Sequence, residues 1–158
     1  MSVAATAGTD PRAAFEWPVR VYWEDTDGGG VVYYANYLKF LERARTEWLR
    51  ALGYSQTALA VDPGILFMVV NLQLEYLKPA RLDDALRVTC EPERDGRVSM
   101  RIRQRILRDD VSGETLVVAD VRVACLDARS LRPRRIPEFV PLAVGASLPG
   151  RDAAEDRP

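Results

Sequence analysis

Residues 37–52 hold the one extended helical period in a chain whose other apolar segments mostly alternate at steps of two. Tyr37, Phe40, Leu41, Ala44, Trp48, Leu49 and Leu52 recur every three or four positions, which lays a single apolar stripe along a helix of roughly four turns. Lys39, Glu42, Arg43, Arg45, Glu47 and Arg50 fall on the other face, where Arg43 and Glu47 are spaced to pair across one turn. Gly53 is placed to stop the helix. A lone helix must bury its stripe against strands, so the strand pattern decides the fold.

Before the helix, Phe15, Trp17, Val19, Val21 and Trp23 alternate with mostly polar residues, the period of a half-buried strand. After it, Ile65 to Val70 is apolar at every position, which predicts a strand covered on both faces, and Leu72, Leu74 and Tyr76 then alternate up to Pro79. Three more strands are predicted near 84–93, 97–108 and 114–127, with turns at Asp95-Gly96 and Ser112-Gly113. In the second of these, Val98, Met100, Ile102 and Ile106 face one way and Arg101, Arg103 and Arg105 the other; Gln104 falls on the apolar side and needs a partner if buried. The expected class is α+β, an antiparallel sheet wrapped around one long central helix. One helix covers one side only, so a homo-oligomer is expected to protect the rest. The domain is placed at 14–142, with disordered tails at 1–13 and 143–158, where large apolar side chains are too few to offset ordering entropy.

The chain has no histidine. That excludes Ser-His-Asp and Cys-His hydrolases, HExxH proteases and His-ligated catalytic zinc. A net charge of −1 excludes a whole-molecule field for nucleic acid, and no apolar run approaches membrane-spanning length. The first twelve residues lack the pattern of a secretion signal. Cys90 and Cys125 lie far apart in apolar stretches, which reads as buried free thiols in a reducing cytoplasm.

The segment between first strand and helix, Trp23-Glu24-Asp25-Thr26-Asp27-Gly28-Gly29-Gly30-Val31-Val32-Tyr33-Tyr34, sets three acids and three glycines together. A calcium loop from Asp25 fails at its fifth and twelfth positions, which are Gly29 and Asn36. A DxDx[TV] phosphatase motif fails at Gly29, and a P-loop fails because Val31-Val32 follows the glycines. Two readings stay open: a solvated acidic turn whose aspartates cap a helix, or a carboxylate set beside helix-terminal amides, an arrangement suited to acyl transfer.

This segment, continued through Asn36-Tyr37 and Phe40-Leu41-Glu42-Arg43-Ala44-Arg45, resembles the D-x-D-x-x-G-x-V-x-[YH]-x-x-Y signature of hotdog-fold acyl-CoA thioesterases, the 4-hydroxybenzoyl-CoA and YbgC-type enzymes. The likeness extends through Tyr76-Leu77-Lys78-Pro79-Ala80 to about 138. It implies a hotdog fold, hydrolysis of an acyl-CoA substrate without cofactor or metal, and homodimers or homotetramers with active sites at their interfaces. It makes Asp27 the catalytic carboxylate, Tyr34 the residue whose backbone N–H polarises the thioester carbonyl, and Arg97 a contact for the nucleotide end of CoA. Asp25 is given a structural role, because a second anion beside Asp27 hinders attack. Tyr34 stands where YbgC-type sequences commonly carry His and the 4-hydroxybenzoyl-CoA branch carries Tyr. Ile65 to Val69 is read as core before acyl pocket, and Trp23, Trp48, Tyr33 and Tyr37 as core or interface. The alternatives are a non-catalytic acyl-CoA or lipid-binding module, and a hotdog dehydratase, against which the missing histidine argues.

Overall fold

The computed structural model describes residues 15–142. The expected tails, 1–13 and 143–158, lie outside the described residues. Strand β1 is Phe15–Arg20; helix α1 is Tyr37–Ala51; a short helix α2 is Gln56–Val61; and strands β2 to β5 are Ile65–Tyr76, Ala85–Arg94, Ser99–Arg108 and Thr115–Asp127. The five strands form one antiparallel sheet in the order β1-β3-β4-β5-β2. The last three strands are hairpin neighbours, whereas β2 crosses to the far edge to pair with β5.

Helix α1 buries Tyr37, Phe40, Leu41, Ala44, Trp48 and Leu49, the stripe read from the sequence. They meet Val88 and Cys90 of β3, Met100, Ile102 and Ile106 of β4, and the inward residues of β5 in one core. Each large side chain so removed from water contributes about 1.5–3 kcal/mol. The helix ends as Gly53 predicted: with φ at +94°, its N–H donates to the Arg50 carbonyl while the Tyr54 N–H reaches back to Leu49.

Gln104 is 1% exposed inside this core. Its Nε2 donates to the carbonyls of Leu41 (3.1 Å) and Thr89 (3.3 Å), and its Oε1 accepts from Arg45 Nη1 at 2.9 Å. The sequence put Arg45 on the solvated face of α1, but its side chain is only 11% exposed, because the long stem lets the guanidinium reach the buried amide. The pair expected between Arg43 and Glu47 is replaced by Arg45–Glu42 and Arg50–Glu47, and Arg43 lies over the Phe40 ring at 5.9 Å.

Three further expectations are corrected. β1 stops at Arg20, and Trp23 opens a 3₁₀ turn, 79% exposed, because the Asp25 N–H bonds back to the Tyr22 carbonyl. Helix α2 was not read from the sequence; its one local signal is Ser55, whose hydroxyl caps the Ala58 N–H. The apolar run of β2 is not covered on both faces: Ile65 is buried, but Met68, Val69 and Val70 are exposed, since β2 is an edge strand. The arginine row on β4 is a solvated face, with Arg101, Arg103 and Arg105 paired to Asp120, Glu93 and Glu91 on neighbouring strands.

Both thiols are free and buried. Burial pushes the Cys90 thiol up to about 12 and the Cys125 thiol in the same direction. A group whose pKa is raised by folding keeps its proton in the native state after the unfolded chain has lost it. Stability is therefore unaffected by these thiols below the unfolded value of about 8.5 and falls as pH rises from there toward 12. Native protein at pH 8 is expected to resist a thiol-specific disulfide reagent, with both cysteines reacting on unfolding; rapid reaction of either in the native state contradicts their placement.

Candidate active site

Between β1 and α1 the chain makes two turns around a buried carboxylate. Asp25, 5% exposed, accepts from the Tyr22 N–H at 2.8 Å and from Asn36 Nδ2 at 2.8 Å, and its own carbonyl accepts from the Tyr33 N–H at 2.9 Å. One residue thus ties the exit of β1 to the entrance of α1, in line with the structural role expected of it. Asn36 enters the sequence reading as an unsuitable calcium ligand and as part of the signature segment, whereas the bond of its buried amide to Asp25 emerges only in the structure.

Asp27, two residues on, is exposed. Its N–H bonds to the Val31 carbonyl and its carbonyl accepts from the Gly30 N–H, closing a tight turn in which Gly30 takes φ at +73°. Asp27 Oδ1 accepts from the Gly29 N–H at 2.8 Å, and a Cβ on Gly29 would come within 3.1 Å of that oxygen. The glycine therefore lets the carboxylate rest on the backbone. Asp27 caps its own turn, not a helix as one reading of the sequence had it.

Tyr34–Asn36 forms a 3₁₀ turn that runs directly into α1. None of the loop and cap hydrogen bonds among the described residues takes the Tyr34 N–H. The Tyr34 side chain is 63% exposed and rests edge-on against Tyr33, itself 47% exposed, while Tyr37 and Trp48 are core. Beneath lies the segment after β2: the Val32 N–H donates to the Ala80 carbonyl, the Ala80 N–H to Tyr37 Oη, and Arg108 holds the Pro79 carbonyl and Asp84. The stretch Tyr76 to Ala80 is thus the floor of the glycine loop.

Arg97 does not join this group within the protomer. It is exposed at the β3–β4 turn, next to the start of β4, and its carbonyl accepts from the Ile136 N–H. Tyr76 and Ala80 lie toward the other end of the sheet, level with Ile106 and Val117. From Ser99 to Ile106, at about 3.3 Å per residue, the strand runs some 23 Å. Ile65 and Phe67 pack in or against the core; Phe67 and Val69 also line a small cavity of about 40 Å³ with Trp48, Leu49, Met100 and Ile102.

A family model described as "Thioesterase superfamily" matches residues 29–123, from Gly29 through helix α1 and into strand β5. The chain belongs to the thioesterase superfamily. This thioesterase is 44% identical to the acyl-CoA thioester hydrolase YbgC of Escherichia coli over 80% of its own length and 92% of the relative's. It is 43% identical to the acyl-CoA thioesterase YbgC of Haemophilus influenzae over 82% and 93%. Among solved structures, a probable thioesterase from Bartonella henselae superposes with a TM-score of 0.73 at 35% identity, covering 79% of this chain and 100% of that one. The hotdog fold inferred from the signature is the fold observed.

The two aspartates of the thioesterase are expected to separate cleanly. Asp25→Ala strands two donors beneath the loop and should lower unfolding stability by about 1–3 kcal/mol in a denaturant titration. Asp27→Ala, on the exposed turn, should change it by less than about 1 kcal/mol. Equal losses from the two substitutions contradict this division of roles.

Proposed function

We propose that the chain hydrolyses an acyl-CoA thioester to the free acid and CoA, with Asp27 and the Tyr34 backbone N–H as the reacting groups. The observation that carries this reading is an exposed carboxylate, fixed on a glycine turn, in the same loop as a 3₁₀ turn into α1 whose first amide takes no partner in the loop and cap hydrogen bonds among the described residues. The amide holds the carbonyl oxygen and stabilises the negative charge that grows on it. Asp27 either attacks the carbonyl carbon to form a mixed anhydride, which water then hydrolyses, or takes a proton from the water that attacks that carbon. The C–S bond breaks with its electron pair leaving on the CoA sulfur, and water supplies the oxygen of the acid.

A thiol-release assay across a panel of acyl-CoAs checks this. Wild type is expected to cleave at least one class, and Asp27→Asn to lose about 100-fold or more in kcat with its fold intact. An asparagine variant with full activity refutes the catalytic role.

The site is proposed to be completed by a second copy. β2 is a free edge carrying exposed Met68, Val69 and Val70, and such an edge is a template for another strand. Antiparallel pairing of β2 with its counterpart around Val70 brings the Gly64 end of one strand beside the Tyr76 end of the other. Arg97 of the partner subunit, which lies toward that first end, then comes to the side on which Asp27 stands. Arg97 thereby gains a route to the CoA phosphates that it lacks within its own protomer, and its guanidinium suits them. Sedimentation is expected to give a dimer or a multiple of it, and Val70→Lys to shift it toward monomer with loss of thiol release. A fully active monomer refutes the shared site.

A further inference from the structure

Tyr76 ends β2, paired with Val117 of β5, and its hydroxyl donates to the carbonyl oxygen of Tyr34 at 2.6 Å. The bond crosses from the sheet to the 3₁₀ turn at the helix entrance. It is the one contact that fixes the C-terminal side of Tyr34 from outside the helix in the hydrogen bonds among the described residues. On the other side, the Tyr33 carbonyl is held by the Asn36 N–H at 2.8 Å, and Asn36 is held by Asp25. The Tyr34 N–H shares one planar peptide with the Tyr33 carbonyl, and the Tyr34 carbonyl held by Tyr76 belongs to the next peptide, so the two bonds hold the peptides on both sides of the Tyr34 Cα and leave the N–H little freedom to turn. The Tyr76 ring is itself set by the buried Tyr37 ring, 5.6 Å away between centroids, and Tyr37 is tied to Ala80 through its hydroxyl. Burial raises the Tyr76 phenol above its ordinary value, so the hydroxyl keeps its proton and remains a donor at neutral pH.

We propose that Tyr76 is a positioning residue for the reaction: through its hydroxyl it holds the Tyr34–Ala35 peptide, which fixes the backbone at Tyr34 so that the Tyr34 N–H, in the preceding peptide, faces the thioester carbonyl. It does not touch the substrate in this role; it acts through Tyr34. The inference rests on the assignment of that amide given under the proposed function. The electrostatic advantage of such a donor depends on its being aimed before charge develops, so loss of aim lowers turnover more than substrate binding.

Tyr76→Phe tests it. The residue is 49% exposed and phenylalanine keeps the ring against Tyr37, so the variant removes one hydroxyl from a folded protein; an unchanged melting curve verifies this. The expected result is a fall in kcat of about tenfold, smaller than loss of an oxyanion donor outright, with KM within about twofold. Two ligands that are not hydrolysed separate positioning from a general loosening of the site. A CoA thioether with no carbonyl should bind both proteins equally, and a trifluoromethyl ketone analogue, whose carbonyl takes up a nucleophile to give a tetrahedral adduct like the transition state, should bind the variant several-fold more weakly. An unchanged kcat, or an equal loss of affinity for both analogues, overturns the proposal. Asp27→Asn, assayed alongside, tells the two failures apart. If it is inactive while Tyr76→Phe behaves as wild type, only the role of Tyr76 falls; if it is fully active, the reading of the whole site falls with it.

Discussion

Asp25 has both carboxylate oxygens occupied inside the protein, one by the Tyr22 N–H and one by the Asn36 amide, and these two bonds hold the end of β1 and the start of α1 at a common point. A buried carboxylate without such donors costs several kcal/mol, so the chain can bury Asp25 only when both turns are formed. The glycine loop between them is then closed at its neck, and its geometry follows. Thr26 bridges Val32, Asp27 meets Val31, and Val31 bridges Arg81 on the floor below. The helix in turn is held along its length by apolar burial and at its middle by Gln104, which links the Leu41 carbonyl to β3.

The two aspartates differ in environment although only Thr26 separates them. Asp25 points inward and is consumed by structure; Asp27 lies outside, with a single backbone N–H on Oδ1. A 3₁₀ turn at Trp23–Asp25 followed by extended Thr26 produces this reversal, turning the chain so that alternate acids face opposite ways. The same turn lifts Trp23 to the surface and ends β1 early. The departure from the alternating pattern at Trp23 is thus part of the device that presents Asp27.

Much of this was legible in the sequence because it rests on local period and on an ordered motif. The α1 stripe, the Gly53 stop, the three hairpin strands and the place of Gln104 on the apolar side of its strand follow from spacing alone, and the signature pointed to the fold. What could not be read depends on chain crossings. β2 is as apolar as a central strand, and only its pairing with β5 places it at an edge. Arg45 falls on the polar side of a helical wheel, yet its reach is longer than the wheel's geometry allows for. Arg97 matched a family position but not a place near Asp27, since sequence order carries no information on which end of a sheet a turn occupies. Tyr76 was visible as part of a motif, whereas its bond to Tyr34 joins residues 42 apart.

The lack of histidine limits what leaving group such a site can release. With Asp27 and a main-chain amide as its proposed reacting groups, the site has no imidazole to deliver a proton at neutral pH. An alkoxide or amine anion leaves poorly without that proton, since the conjugate acid is very weak. A thiolate is different: a free thiol loses its proton near pH 8.5, so the sulfur can depart with its electron pair largely unassisted. The carbonyl of a thioester therefore needs activation from one side only, by a donor aimed at its oxygen and a carboxylate aimed at its carbon. In the proposed mechanism both requirements fall to groups whose positions depend on Asp25 and the floor of the loop, so the absence of an imidazole favours thioesters over amides as substrates for this architecture.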